Sequence, residues 1–385
     1  MLNLKKIDPS LLYKVKKQSN LMDKINCVIY TSSINKTIDY IKNSNCGEIK
    51  SEYPFINALG VTLNLEDLSK ISNYKHLEYI TSSTKVFTQV NVSKKVSNLQ
   101  TLEQEGLTGK DICVAIIDTG VKPHLDFVMP RNRIVCFKDF VNKKEFPYDD
   151  NGHGTFVASV LGGNGLVSGG KFNGIAPNVN IISLKALDEK GETGAFTILE
   201  AMQWVFDNKE KYNIKVVCMS FGSNPLGNTD PLKLGAETLW DNGVIVVAAA
   251  GNSGPERASI KSPGISSKII TVGALDDCRN EKGEFNEKNF KIADFSSRGP
   301  AFRFYKPDLI ASGVNLCAAC HNFENDYTTM TGTSVATPII AGTCALLCEK
   351  YKKITPLQIK SLLIQNTKPL TKDKNKEGFG YLYFK

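Results

Sequence analysis

The chain has 385 residues, which suits one large and one small domain, and 42% of them are hydrophobic, an ordinary share for a globular protein. Its net charge of +8 comes from lysines and acids that are interleaved along the whole chain. This pattern favours a solvated, mildly basic surface over a nucleic-acid site. No segment has the length of a membrane span, and the first residues lack the apolar run and small-residue cleavage site of a signal peptide.

The ten cysteines stand at irregular spacing, and several lie inside apolar runs, as Cys113 and Cys218 do. Without a secretory signal, cysteines of this kind are typical of reduced, buried thiols. The sequence therefore predicts a cytoplasmic protein rather than a secreted enzyme held together by disulfides.

A zinc site is the alternative use for some of these cysteines. Cys317 and Cys320 form a CxxC spacing directly before His321, and residues of these types can bind zinc. Cys344 and Cys348, however, fall in a predicted helix among small apolar residues, where buried thiols are expected. We predict no metal site.

The composition changes near residue 90. Before that point, 25–33 and 76–82 have the pattern of strands, 34–45 and 65–75 that of helices, and 48–64 that of two strands around a turn. A β-α-β-β-α-β order predicts a small ferredoxin-like α+β domain. This part of the chain carries no catalytic constellation.

After residue 110 the chain contains short apolar runs, which are typical of strands buried on both faces of a parallel sheet. The runs lie at 113–118, 181–187, 216–221, 244–250 and 269–275. Helical patterns alternate with them, and one places five apolar side chains near a 3.6-residue spacing: Phe196, Leu199, Met202, Trp204 and Val205. The alternation predicts an α/β fold with a doubly wound, mostly parallel sheet and helices on both faces. In such a fold, ligands bind at the carboxyl ends of the strands.

We accordingly expect three parts in the chain. Residues 1–24 form an N-terminal extension, 25–90 the ferredoxin-like domain and 91–385 the large α/β domain. The sequence contains no internal repeat and no low-complexity linker.

Three motifs in the large domain carry residues that can do chemistry. Asp118 closes the run VAIIDTG, at the carboxyl end of a predicted central strand, and His153 lies between glycines in NGHGTFVA, at a predicted helix start. Ser334 begins another helix, in GTSVATP, where backbone N–H groups and the helix dipole favour developing negative charge. Taken singly, a histidine is more often structural than catalytic, and an N-cap role explains the serine about as well as catalysis does.

Taken together, the three residues fit nucleophilic catalysis. A nucleophilic serine needs a base to accept its proton, and the base needs an acid that fixes its tautomer and stabilises its charge. Ser334, His153 and Asp118 supply these roles in the chain order Asp, His, Ser. An aspartic protease would need a second Asp-Thr-Gly, which the sequence lacks. An α/β-hydrolase would need a glycine where Ala336 stands.

A fourth motif, VVAAAGNSGP, places Asn252 in a glycine-flanked loop after a predicted strand. Asparagine in such a loop is often a turn residue. Its side-chain amide can also donate a hydrogen bond to a tetrahedral oxyanion, beside the backbone N–H of Ser334. The three other motifs favour the oxyanion role.

The segments AIIDTGV, NGHGTFVA, AAAGNSGP and GTSVATP resemble the signature segments of the subtilisin-like serine proteases, in order and at compatible spacing. The resemblance covers about 95–385 and implies a serine endopeptidase that binds protein or peptide substrates as an extended strand. It implies that two segments wall the pocket for the residue before the cut: Ser220, Phe221 and Gly222 on one side, and Ala249, Ala250 and Gly251 on the other.

The resemblance also implies that the ferredoxin-like domain is a pro-domain, an inhibitor and folding chaperone of the catalytic domain. Self-cleavage should then fall within 82–98. Between His153 and Ile175 the chain carries GGNGLVSGGKFNG instead of the Asn-rich loop that holds calcium in the secreted enzymes, so calcium is possible but unsupported. This departure, the absence of a signal peptide and the many cysteines indicate the intracellular branch of the family.

By the same resemblance, Lys261 lies near the floor of the pocket, where small residues are common. One hypothesis is a preference for acidic residues or glutamine before the cut. The alternative is that the long stem lets the ammonium reach water. Two other functions stay open: a non-catalytic relative that binds a partner protease, and a maturation enzyme with one dedicated substrate.

Overall fold

The structure is a computed structural model that describes residues 2–8, 11, 24–54, 57–82, 90–280 and 282–385. The chain divides into two compact units, Met1–Val86 and Phe87–Lys385. Each unit has its own core, because its buried apolar side chains pack in a cluster of their own.

The first unit is a four-stranded antiparallel sheet with two helices. Its elements are β1 (Ile25–Thr31), α1 (Ile34–Asn43), β2 (Glu48–Tyr53), β3 (Ala58–Leu63), α2 (Leu65–Ser72) and β4 (Leu77–Ser82). The strand order β2-β3-β1-β4 is that of a ferredoxin-like fold. In the central strand, Ile29 lies opposite Leu59 and Ile80, and all three side chains are fully buried.

Part of the segment expected to be an extension belongs to this unit. Ile7 forms a bridge with Ile80, and both Ile7 and Leu11 are buried in the same apolar cluster as Ile29. Residues 9–10 and 12–23 lie outside the described residues.

The second unit is an α/β domain. Its elements are α3 (Val90–Val96), α4 (Gln100–Gln104), β5 (Cys113–Asp118), α5 (Leu125–Val128), β6 (Ile134–Asp139), α6 (His153–Gly162), β7 (Asn180–Lys185), α7 (Ala195–Asn208), β8 (Ile214–Met219), α8 (Pro231–Asp241), β9 (Ile245–Ala249), β10 (Ile270–Asp276), β11 (Lys291–Ile292), β12 (Leu309–Ser312), β13 (Leu316–Ala319), β14 (Tyr327–Met330), α9 (Thr333–Lys350), α10 (Pro356–Gln365), β15 (Thr367–Lys368), α11 (Lys374–Glu377) and β16 (Tyr381–Leu382).

The predicted doubly wound sheet is confirmed. The strand order is β15-β16-β12-β10-β9-β8-β5-β7-β6, and every pair from β16 to β6 is parallel, whereas β15 and β11 are antiparallel additions. All six residues of β5 are buried, as expected for a strand covered on both faces. The chain adds β6 and β7 on one side of β5 and then β8 on the other. This reversal opens a crevice at the carboxyl ends of β5 and β8, where α/β proteins bind ligands.

The long helix α9 fills the centre of the domain. Fifteen of its eighteen residues are buried, including Cys344 and Cys348, so both cysteines lie where the sequence predicted. A side-chain carbon on Gly342 would lie 2.7 Å from Ile175 Cβ, so the glycine allows the segment after α6 to approach α9 closely.

Two details of the second unit differ from expectation. Phe196 is 84% exposed, since the buried face of α7 consists of Ile198, Ala201, Met202 and Val205. The strands β6, β12, β13 and β14 were not predicted. The strands β6 and β14 are only partly buried, and β12 and β13 are buried but have only four residues each.

All ten cysteines are free thiols, and eight of them are buried. No helix among the described residues combines the length and apolarity that crossing a membrane requires. In the same part of the chain, no three His, Cys, Asp or Glu side chains are grouped so that they could hold a metal ion.

Candidate active site

A cleft of about 470 Å³ lies at the carboxyl edge of the parallel sheet. It is lined by three of the four residues for which the sequence predicted chemical roles: His153, Asn252 and Ser334. The fourth, Asp118, is 1% exposed and binds His153 from behind. The structure therefore brings together residues that are more than two hundred positions apart in the chain.

Asp118 and His153 form a short hydrogen bond. Asp118 ends β5, His153 begins α6, and the imidazole Nδ1 lies 2.7 Å from Asp118 Oδ1. A carboxylate partner makes Nδ1 the donor, so Nε2 is the nitrogen that can accept a proton. Burial lowers the pKa of His153, but the nearby carboxylate of Asp118 outweighs burial and the net pKa is raised.

Close packing of backbone on backbone brings α6 to the end of β5. A side-chain carbon on Gly154 would lie 2.1 Å from the Gly120 carbonyl oxygen and 3.2 Å from Asp118 Cβ. Only glycine permits this approach, and the approach sets the distance between the histidine and the aspartate.

Asp149 links the aspartate strand to the histidine helix. Its Oδ1 accepts hydrogen bonds from Thr119 Oγ1 at 2.9 Å and from the Gly152 N–H at 2.8 Å. Its Oδ2 accepts from the N–H and the Oγ1 of Thr155 at 2.9 and 2.6 Å. One buried carboxylate therefore holds both the turn after Asp118 and the first turn of α6.

Ser334 and Asn252 face each other at the start of α9. A side-chain carbon on Gly332 would lie 3.0 Å from Ser334 Oγ and 3.3 Å from Asn252 Nδ2, so the two atoms flank the same position. Asn252 Oδ1 accepts from both the N–H and the Oγ1 of Thr333, each at 2.9 Å. Because the N–H can only donate, this pair of contacts fixes the orientation of the amide and turns Nδ2 away from Thr333.

The expected pocket walls line the cleft, with one exception. Ser220, Phe221, Gly222, Ala249, Gly251 and Lys261 all border it. Ala250 does not, because its side chain is fully buried in a small cluster with Ile260, Ile265 and Ala301. Alternate residues of an extended segment face opposite sides, so Ala249 and Gly251 face the cleft and Ala250 faces away.

The sequence did not indicate several residues that form or support the site. Leu187 and Lys190 border the cleft, and Thr333 and Asp149 position its polar groups. Asp149 stands four residues before His153, and a polar run ahead of a helix start is the one signal that could have pointed to it.

Comparison with known proteins shows the family to which the chain belongs. The profile of the Subtilase family matches residues 109–381, and the chain therefore belongs to this family of serine proteases, which are hydrolases. The chain is 35% identical over 367 residues to the serine protease AprX of Bacillus subtilis, covering 89% of this chain and 81% of that protein. It is 32% identical over 265 residues to subtilisin DY of Bacillus licheniformis, covering 68% of this chain and 85% of that protein.

Solved structures show the same similarity. Sphericase matches with a TM-score of 0.64 and 26% identity, over 79% of this chain and 99% of its own. A cold-adapted subtilisin-like serine proteinase matches with a TM-score of 0.57 and 28% identity, over 72% of this chain and 90% of its own. The predicted subtilisin-like fold and the predicted class of enzyme are confirmed.

We predict that Asp149→Asn misplaces His153 relative to Asp118. The amide would turn a donor toward N–H and O–H donors, which lowers the free energy of unfolding by about 1–3 kcal/mol. It should lower kcat up to about a hundredfold and change KM little, because orientation rather than substrate binding is lost. Steady-state kinetics and thermal unfolding measure both effects. Asp207→Asn, on the exposed face of α7, is the matched control. Equal kcat in the two variants would contradict the positioning role.

Proposed function

We propose that Ser334 is the nucleophile of this protease, that His153 is its general base and acid, and that Asp118 orients the imidazole. The observation that supports this most is a shared cleft: Asp118 accepts a hydrogen bond from a histidine that lines the same cleft as Ser334 and Asn252. Such an arrangement of hydroxyl, imidazole and carboxylate performs acyl transfer.

In the first step, Ser334 Oγ attacks the carbonyl carbon of a peptide bond while His153 Nε2 takes the hydroxyl proton. A C–O bond forms and the carbonyl π electrons move to oxygen. Asp118 stabilises the positive imidazolium, consistent with the raised pKa of His153. When the tetrahedral species collapses, the C–N bond breaks, His153 gives its proton to the leaving amine, and the acyl group stays on Ser334.

The negative oxygen of the tetrahedral species is held by two donors, Asn252 Nδ2 and the backbone N–H of Ser334. Thr333 locks the Asn252 amide in the donating orientation before substrate arrives. The Ser334 N–H lies in the first turn of α9, where helical N–H groups have no partner within the helix. Donors that are already in place stabilise developing charge without reorganisation.

In the second step, His153 takes a proton from water, the water oxygen attacks the acyl ester, and Ser334 is released with its proton restored. The peptide lies along Ser220, Phe221 and Gly222 as an added strand. These residues follow β8 without joining a sheet, whereas Ser223 already pairs with Ser262. Their backbone groups therefore stay available to a substrate.

We also propose that the first unit, Met1–Val86, is the pro-domain predicted for 25–90, that it inhibits the catalytic domain of 91–385, and that it is removed by self-cleavage within 82–98. Its separate apolar core supports an independent folding unit. The segment α3 is helical, and its Val92 and Val96 are buried in the second unit. A protease binds its substrate as an extended strand, so a helical segment is a poor site for cleavage. The cut is therefore expected before α3, where 83–89 lie outside the described residues.

A reducing, cytoplasmic location and the intracellular branch of the family are part of this proposal. All ten thiols are free, and burial raises the pKa of Cys113 and of Cys218 to about 12. Protonated, buried thiols are inert, and thiols without disulfide partners are typical of proteins in a reducing compartment.

The breadth of the substrate range is a separate question. Digestion of a mixed proteome separates a broad protease from a dedicated maturation enzyme.

We further propose that the segment that replaces the Asn-rich loop binds no calcium. The backbone carbonyls of Gly162 and Val179 accept hydrogen bonds from the buried Arg133 guanidinium at 2.6 and 3.1 Å, and the Asp126 carbonyl accepts another. The Asp126 carboxylate accepts from the Val167 N–H at 3.0 Å. These oxygens already accept hydrogen bonds from protein donors, and the Arg133 guanidinium supplies a positive charge among them, which supports a region that needs no calcium.

Ser334→Ala tests the proposed nucleophile. We expect it to abolish peptide cleavage and self-processing and to prevent labelling by a fluorophosphonate, because the attacking oxygen is gone. Ser361→Ala, on the exposed face of α10, is the matched control and should keep all three. Continued self-processing in Ser334→Ala, or a label found on another residue, would refute the assignment.

Removal of metal tests the role of Arg133. We expect EDTA to leave the midpoint of thermal unfolding unchanged, because a guanidinium holds these carbonyls. Arg133→Met should lower the free energy of unfolding by about 3 kcal/mol, since buried acceptors lose their donor. Arg131→Met, two residues away and exposed, should have little effect. A large EDTA-induced fall in the midpoint, reversed by added calcium, would contradict the proposal.

A further inference from the structure

Lys261 borders the cleft and lies between two glycines. A side-chain carbon on Gly222 would lie 2.5 Å from Lys261 Cβ, and one on Gly251 would lie 2.4 Å from Lys261 Cγ. The two glycines belong to the two segments that wall the cleft. The lysine stem therefore lies between the two walls, and it fits there because Gly222 and Gly251 carry no side chain.

The charge of Lys261 is available to a ligand. Its Nζ donates to Asn224 Oδ1 at 2.7 Å, and Asn224 is exposed and neutral. The described residues that line the cleft include Lys261, Lys190 and His153 but no aspartate or glutamate. Lys190 is flanked in its own loop by acidic residues, whereas the sequence neighbours of Lys261 are uncharged: Ile260 and Ser262.

We propose that Lys261 selects the residue that precedes the scissile bond and that the enzyme prefers glutamate, aspartate or glutamine there. This inference rests on the proposed function, because it concerns the substrate of the same site. A carboxylate or amide oxygen of the substrate replaces Asn224 Oδ1 at the ammonium and gains a charge-assisted hydrogen bond. A bulky aromatic side chain meets the lysine stem instead.

The chain itself contains one residue of this class where self-cleavage is proposed. Within 82–98, Gln89 is the single glutamine, and the segment has no aspartate or glutamate. A cut after Gln89 would start the processed chain at Val90, the first residue of α3. The specificity of the cleft therefore predicts one bond in that segment.

The test uses the full chain and matched fluorogenic peptides that differ only in the residue before the cut: Glu, Gln, Ala, Leu or Phe. We expect kcat/KM for the Glu peptide to exceed that for the Leu and Phe peptides by about tenfold, as expected for one partly desolvated charge pair. High salt should reduce this ratio. The N-terminal residue of the processed chain, determined by mass spectrometry, should be Val90.

Three substitutions separate charge from shape. Lys261→Met keeps the stem without the charge and should bring the Glu-to-Leu ratio close to one. Lys261→Gly opens the pocket and should raise kcat/KM for the Phe peptide. Lys261→Glu should move the preference to basic residues.

The experiment distinguishes failure of the inference about Lys261 from failure of the proposed function. If the wild-type enzyme cleaves Leu or Phe peptides faster than the Glu peptide, or if Lys261→Met leaves the ratio unchanged, the ammonium points to water and the inference is wrong. An N-terminus elsewhere within 82–98 would also contradict it. If no peptide is cleaved and a fluorophosphonate does not label Ser334, the proposed function itself fails.

Discussion

The hydrogen bond between a buried carboxylate and an imidazole, at the carboxyl edge of a parallel sheet, is the contact on which this site depends. A carboxylate is costly to bury unless it has a partner, and Asp118 has one in His153 at 2.7 Å. The same contact fixes the imidazole tautomer and raises the pKa of His153. The fold places this bond at the centre of the sheet, because β5, which ends in Asp118, lies between β7 on one side and β8 on the other.

Much of the surrounding structure keeps this bond in place. Asp149 holds the turn after Asp118 to the first turn of α6. Lys185, at the end of β7, is fully buried and donates to the carbonyls of Thr119 and Leu187 and to Asp150 Oδ1. These side chains do not border the cleft, but their hydrogen bonds hold the loops that carry the site to the sheet.

The sequence predicted the main elements because their signals are local. The run at 113–118 matches β5 residue for residue, since a strand covered on both faces is largely apolar, and here only the last residue, Asp118, is charged. In the motifs around His153, Asn252 and Ser334, glycines stand beside the polar residue. Glycines of this kind form tight turns, and such a turn places the polar residue at the end of a helix or strand. The roles assigned to these residues remain predictions that the geometry supports.

Other features depend on contacts between distant segments and could not be predicted. Lys185 lies in an apolar run, and its role appears only when β5 and β7 pair side by side. The exposure of Phe196 and the burial of Ala250 depend on which face of an element meets the core. A shift of one position reverses that face in an extended segment and turns it by about 100° in a helix. The position of Lys261 between two glycines likewise requires three segments to meet.

The central claim is tested most directly by the titration of His153, followed by NMR of histidine-labelled protein. The chain has four histidines, so a His153 variant assigns the resonance. We predict that His153 titrates above the usual value of about 6.5 and that Asp118→Asn lowers its pKa, because the compensating charge is lost while burial remains. A His153 pKa that is at or below the usual value, and that does not change in Asp118→Asn, would contradict the account.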